Sequence, residues 1–194
     1  MNIINELRRK SIHFSTIVLP ILYNFIPREK MLYVSGSLLS VALVVELVRF
    51  TWKPFSAFFL KLVSSLLREN EKHGLTGATY IFLGFFLSIL FFDKWIAQSI
   101  MLFIIISDAL SAIVGKLWGT YKIYAGKTLE GCLAYLVASF IIVFLIIEGN
   151  FIVGTAGIIA SLLAEIFIIR IDDNITVAVI GGGTMQLLSM FLSC

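Results

Sequence analysis

The sequence predicts an all-α integral membrane protein: about seven transmembrane helices, N-terminus cytoplasmic, and one interfacial amphipathic helix. Three observations carry this. First, 59% of the 194 residues are hydrophobic and mean hydropathy is +1.00, against roughly 45–50% apolar in soluble domains. Second, the apolar stretches recur at about 17–20 residues, the length of a helix that crosses a bilayer. They are continuous rather than alternating, which argues against a membrane β-barrel. Third, twelve of the 15 Lys and Arg residues fall on one side once the spans are drawn, as expected of cytoplasmic segments.

The expected spans are 12–26, 31–50, 75–92, 95–114, 129–147, 151–169 and 174–192. The first follows Arg8-Arg9-Lys10 but runs into Tyr23-Asn24-Phe25-Ile26-Pro27, with no small-residue cleavage pattern, so it reads as a retained span. Between the second and third spans, residues 51–74 mix Trp52, Phe55, Phe58, Phe59 and Leu62 with Lys53, Lys61 and Arg68. Apolar residues three and four apart with basic residues between them predict a helix lying in the interface. Only Arg28, Lys30 and Lys94 remain outside. A single polytopic domain over 1–194 is expected. Cys132 and Cys194 lack metal-ligand spacing, and a net charge of +3 gives no ground for a nucleic-acid partner.

Ionisable residues within spans are costly and mark functional sites by default. Five regions near the cytoplasmic face qualify. Lys10 and His13 open the first span on one helical face. The turn Arg68-Glu69-Asn70-Glu71-Lys72 precedes Thr76, Gly77 and Thr79, small residues suited to close helix packing. Asp108, Ser111, Ala112 and Gly115 make one helix face acidic and otherwise small, with Lys116, Gly119 and Lys122 following. A carboxylate placed there needs a partner or a metal. Gly126-Lys127-Thr128-Leu129-Glu130-Gly131 opens the fifth span, and backbone N–H groups at a helix start favour phosphate. It is not a Walker A motif, because position 121 is Tyr and no sheet precedes it. Asp172-Asp173-Asn174 exceeds what a helix N-cap needs. Glu46 is expected to pair with Arg49, and Glu165 with Arg170. Gathered on one face, these groups fit Mg²⁺ held between carboxylates and a substrate's phosphates, in a site for phosphoryl transfer.

The pattern Asp108-x-x-Ser-Ala-x-x-Gly115-Lys-x-x-Gly119-x-x-Lys122, followed by Gly126-Lys127-Thr128-x-Glu130-Gly131, resembles the dolichol kinase, phytol kinase and CTP-dependent diacylglycerol kinase family. Arg9-Lys10-x-x-His13, Arg68-x-x-Glu71 and Asp172-Asp173-Asn174 fall in that family's order. Ser107 stands where the family more often has Gly. The resemblance implies transfer of the γ-phosphoryl group of CTP to the hydroxyl of a membrane lipid alcohol. On this reading Asp108, Glu130 and Asp173 hold Mg²⁺, and Asp108, Glu130, Lys127 and His13 are the catalytic residues. Lys116, Lys122, Lys127, Thr128, Gly115, Gly119 and Asn174 bind the nucleotide. Lys10, Arg68, Glu71 and Asp172 are expected to serve the lipid or another part of the site. His13 or one of the carboxylates would take the hydroxyl proton. CDP-diacylglycerol synthases share the look of GKLWG and GKTLEG, but close with a Pro-Gly-His-Gly-Gly stretch that this chain lacks. A small transporter would place polar groups along a path across the bilayer, whereas here they gather at one face.

Overall fold

The computed structural model describes residues 3–124, 126–146, 150–168 and 171–192. Among these, nine helices and no strand are found: α1 Ile3–Ser15, α2 Val18–Phe25, α3 Arg28–Thr51, α4 Lys53–Val63, α5 Gly77–Phe91, α6 Lys94–Trp118, α7 Leu129–Ile146, α8 Phe151–Phe167 and α9 Asp173–Leu192. Four of them, α3, α6, α7 and α9, are long and apolar enough to cross a membrane. Helices α5 and α8 are apolar but shorter.

The expected first span is broken. Thr16 and Ile17 separate α1 from α2, and the cause is local chemistry. Pro20 has no N–H and its ring crowds the carbonyl four residues back, that of Thr16. Ser15 and Thr16 also turn their hydroxyls back to the carbonyls of Ile12 and His13, both at 2.6 Å, in competition with helix continuation. The expected interfacial helix is shorter than its window: α4 is followed by irregular chain and a 3₁₀ turn at Asn70–Lys72.

Helix α6 is the central strut. Its residues Ile96, Ala97, Ile100, Met101, Phe103 and Ile105 are fully buried, packed with Tyr23, Phe85, Tyr135 and Val143. Dispersion between such close-packed side chains, with small residues at the crossings, is what associates helices when the surroundings are themselves apolar. At the α6–α7 crossing Ser139 donates to the Ser107 hydroxyl at 2.8 Å. A methyl on Gly131 of α7 would lie 2.8 Å from the Ser111 carbonyl, so only glycine permits that approach.

Two helices carry a π turn, Phe103–Ser107 in α6 and Val177–Gly181 in α9. Such turns cluster at functional sites. Here one immediately precedes Asp108, and the other follows the Asp173–Thr176 turn.

Candidate functional site

The charged turn before α5 is held by α3. Arg49 donates to Glu46 at 2.7 Å, as its spacing predicts, and reaches the carbonyls of Glu71 and Lys72 at 3.2 Å each. The other Glu46 oxygen accepts from the Thr76 backbone N–H at 2.7 Å and the Thr79 hydroxyl at 3.1 Å. Glu46 and Arg49 are therefore structural. They fix the segment bearing Arg68 and Glu71, and Glu71 in turn accepts from the Arg68 N–H at 3.2 Å.

The loop between α6 and α7 doubles back on itself. Ile123 N–H donates to the Lys127 carbonyl and Leu129 N–H to the Tyr121 carbonyl, both at 2.9 Å. An isolated bridge joins Lys122 and Thr128. Gly126 has φ of 81°, in the left-handed region that glycine enters without steric cost. This turn folds Lys127 over the bundle, where its ammonium donates to Glu165 at 2.6 Å and Asp173 at 3.3 Å. Burial alone would lower the Lys127 pKa, but the carboxylates of Glu165, Asp173 and Asp108 outweigh it and raise it above the ordinary lysine value.

Asp108, Glu165 and Asp173, from α6, α8 and α9, form the centre. One carboxylate oxygen from each lies within 4.8 Å of the others. Asp108 also pairs with Lys10, whose side chain is 1% exposed. Glu165 Oε2 is buried and has no hydrogen-bond partner among the described residues. Beside this cluster opens a cavity of about 610 Å³, bordered by Lys116, Lys127, Thr128 and Arg68 as well as the three carboxylates. Glu6 and Lys116 also line it; Glu6 accepts from Arg9 at 2.5 Å and pairs with Lys116. Burial pushes the Glu6 pKa up, but Lys116 and Arg9 outweigh it and hold the carboxyl below its usual value.

Several expected residues are brought together and others are not. Asp108, Asp173, Lys127, Lys116, Thr128, Gly115 and Arg68 line the cavity. Glu130 does not join the carboxylate cluster. Its side chain turns to the loop and accepts from the backbone N–H groups of Thr120 at 2.9 Å and Tyr121 at 3.2 Å. Lys122 is exposed on the same loop. Gly119 lies against the Thr128 side chain, a packing position. The start of α7 is partly capped already, since Gly131 N–H donates to Thr128 Oγ1 at 3.2 Å. Asp172 caps α9 by accepting from Asn174 N–H at 3.0 Å and its side-chain amide at 2.6 Å. Burial, with the neighbouring Asp173 charge, raises the Asp172 pKa. Lys10, His13, Glu71, Asp172 and Asn174 border a narrow polar junction next to the cluster.

Glu165 is expected from sequence as a structural partner of Arg170, not as a site residue. Its expected partner Arg170 lies outside the described residues, as does Cys194, and its observed partner is Lys127, 38 positions away. The available signal was Ser161, one turn earlier on the same buried face.

The geometry defines a helical, membrane-type protein with a lysine-rimmed carboxylate cavity at one end of its bundle. Comparison with known proteins adds a likeness. The chain is 28% identical over 182 residues to an uncharacterized protein of Rickettsia prowazekii, covering 89% of each. It is 31% identical over 94 residues to CTP-dependent diacylglycerol kinase 1 of Schizosaccharomyces pombe, covering 47% of this chain and 43% of that one. The Saccharomyces cerevisiae CTP-dependent diacylglycerol kinase 1 is 25% identical over 127 residues, covering 64% and 39%. Both alignments span less than half the length of the yeast kinases. No family profile and no solved structure matches the chain.

Proposed function

We propose that this protein is a CTP-dependent lipid kinase. It transfers the γ-phosphoryl group of CTP to the hydroxyl of a membrane lipid alcohol, with the active site facing the cytoplasm. The observation that carries the reading is the meeting of Asp108, Glu165 and Asp173 with Lys127 beside a cavity of about 610 Å³. The similarity to yeast kinases named for CTP and diacylglycerol supports the choice of nucleotide and lipid. Diacylglycerol, polyprenols such as dolichol, and phytol-type alcohols are the acceptors to be tried.

The donor set suits Mg²⁺, which binds hard oxygens and is usually shared between one or two carboxylates and substrate phosphates. Asp108, Glu165 and Asp173 would hold it, the free Glu165 Oε2 offering a ligand atom. Bound there, the ion would supply neutralisation of phosphate charge. The chain's own cations do the rest: Lys127, Lys116 and Arg68 border the same cavity and balance a triphosphate. Phosphoryl transfer needs mainly such positioning and electrostatic support. In the step itself, the lipid hydroxyl oxygen bonds to the γ-phosphorus and the bond from that phosphorus to the bridging oxygen breaks. CDP departs, and the hydroxyl proton passes to a base, His13 or a carboxylate.

The test is purified protein with Mg²⁺, a panel of lipid alcohols, and either CTP or ATP. CTP should support phospholipid formation at least tenfold better than ATP, and EDTA should stop it. Equal use of ATP would remove the CTP assignment; no phosphorylated lipid from any alcohol would remove the kinase.

A further inference from the structure

A second cavity, an apolar groove of about 350 Å³, runs between α1, α4 and the start of α5. Its walls include Ile12, Phe59, Val63, Leu66, Ile81 and Phe82. Helix α4 is a loosely held wall: none of its residues is buried, and it is tied to α3 partly by Arg49, whose guanidinium lies 5.6 Å from the Phe59 ring centroid. The groove's hydroxyls are already engaged. Ser15 and Thr16 donate to carbonyls of α1, and Thr76 shares a hydrogen bond with Thr79. What polarity remains belongs to Arg9, His13 and Glu71.

Those three residues also border the narrow polar junction, together with Lys10, Asp108 and Asp173. Asp108 and Asp173 in turn line the cavity of about 610 Å³. Groove, junction and phosphate cavity therefore share walls in series. Gly77 borders both groove and junction, and a methyl there would stand 3.3 Å from Glu71 Oε1, a tight contact, and 3.9 Å from His13 Nε2.

We propose that the groove under α4 holds the hydrocarbon chain next to the acceptor's hydroxyl, with that hydroxyl set between His13, Glu71 and Gly77, facing the carboxylate cluster. This rests on the lipid-kinase reading. A groove of this volume, at the lower end of the roughly 300–1,000 Å³ of ligand sites, takes one chain. An apolar channel ending in groups that can hydrogen-bond a hydroxyl, one junction away from bound phosphates, matches a lipid alcohol. A phospholipid would bring its own phosphate against Glu71, Asp172 and Asp173.

The test separates binding from turnover. Full-length protein in detergent is irradiated with a diazirine-bearing prenyl alcohol, and labelled peptides are mapped. Labelling should concentrate on α4 and the first turns of α5, and a tenfold excess of unlabelled alcohol should remove it. Ala78→Phe, which fills the groove from the exposed face of α5, should cut labelling at least fivefold. It should raise the acceptor KM about tenfold while leaving the KM for CTP within twofold. If that variant does not fold, Val63→Trp fills the groove from α4. Labelling spread evenly over lipid-facing helices overturns the proposal, as does equal competition by phosphatidylcholine or indifference to both filling variants. Groove labelling with no CTP-dependent product would uphold the groove and remove the kinase reading.

Discussion

Asp108→Asn tests stability and chemistry at once, because Asp108 is both the partner of a buried lysine and a member of the carboxylate cluster. The amide keeps the size of the side chain and removes its charge. Lys10, 1% exposed, is then left without its counter-ion, and breaking a buried pair in this way costs about 3–5 kcal/mol. For a chain of 194 residues, at about 2–4 °C per kcal/mol, the melting temperature should fall by roughly 6–20 °C. Loss of activity in the single variant is therefore ambiguous. Lys10→Met resolves it: the double variant Lys10→Met/Asp108→Asn removes both charges and keeps the apolar stem. Replacing a whole buried pair is close to neutral, so thermal melting in detergent should recover most of the loss. CTP-dependent lipid phosphorylation should stay down by about two orders of magnitude or more, roughly 2.7 kcal/mol of barrier. A double variant that melts near wild type and turns over normally would refute the role of Asp108 at the phosphates. One as unstable as the single variant would refute the pairing argument.

Three further outcomes are expected. Gly131→Ala pushes a methyl to within 2.8 Å of the Ser111 carbonyl, so α6 and α7 must separate; melting should drop by several degrees, and an unchanged melt would contradict the packing described. Glu6 has a lowered carboxyl pKa, so its stabilising contribution is complete above its ordinary value of 4.5 and is lost as pH falls through the depressed one. Glu6→Gln should then cost roughly 1.5–3 kcal/mol at pH 7, with the gap to wild type closing in melts taken progressively below about pH 4.5; a gap independent of pH would exclude charge as its source. In a background with Cys132 and Cys194 replaced by Ser, Lys122→Cys should react with an impermeant thiol reagent only from the cytoplasmic side, and Lys94→Cys only from outside. Reversal of either would move the cavity to the opposite face.

The sequence read well where an interaction is local or a cost is unavoidable. Glu46 and Arg49 are three apart on a helix, so their pairing follows from spacing alone. Asp108, Lys127 and Asp173 stand out in the sequence because charges at the ends of apolar spans need partners, and the fold brings all three to one cavity. What failed was long-range or conformational. Glu165 reaches the cluster through a lysine 38 positions away, a contact set by the packing of α8 on α9 and by the turn at Gly126. Glu130 belongs to a motif that looks phosphate-directed, yet it sits in the first turn of α7 and is aimed at Thr120 and Tyr121. The expected first span runs through Pro20 because hydropathy carries no information about the N–H that proline lacks. Seven segments are apolar, but hydropathy does not fix where each helix stops, and four of the helices have both the length and the composition to span.

The central claim concerns which bond of CTP is broken, and the fate of two labels decides it. CTP carrying one label on the γ-phosphorus and another on the α-phosphorus is incubated with the protein, Mg²⁺, a diacylglycerol and a prenyl alcohol, with phosphatidate as a further acceptor. Lipid products and released nucleotide are then separated. The account predicts γ label on a lipid alcohol and α label in CDP. Label from the α position on lipid, with pyrophosphate released, would contradict it and make the protein a cytidylyltransferase.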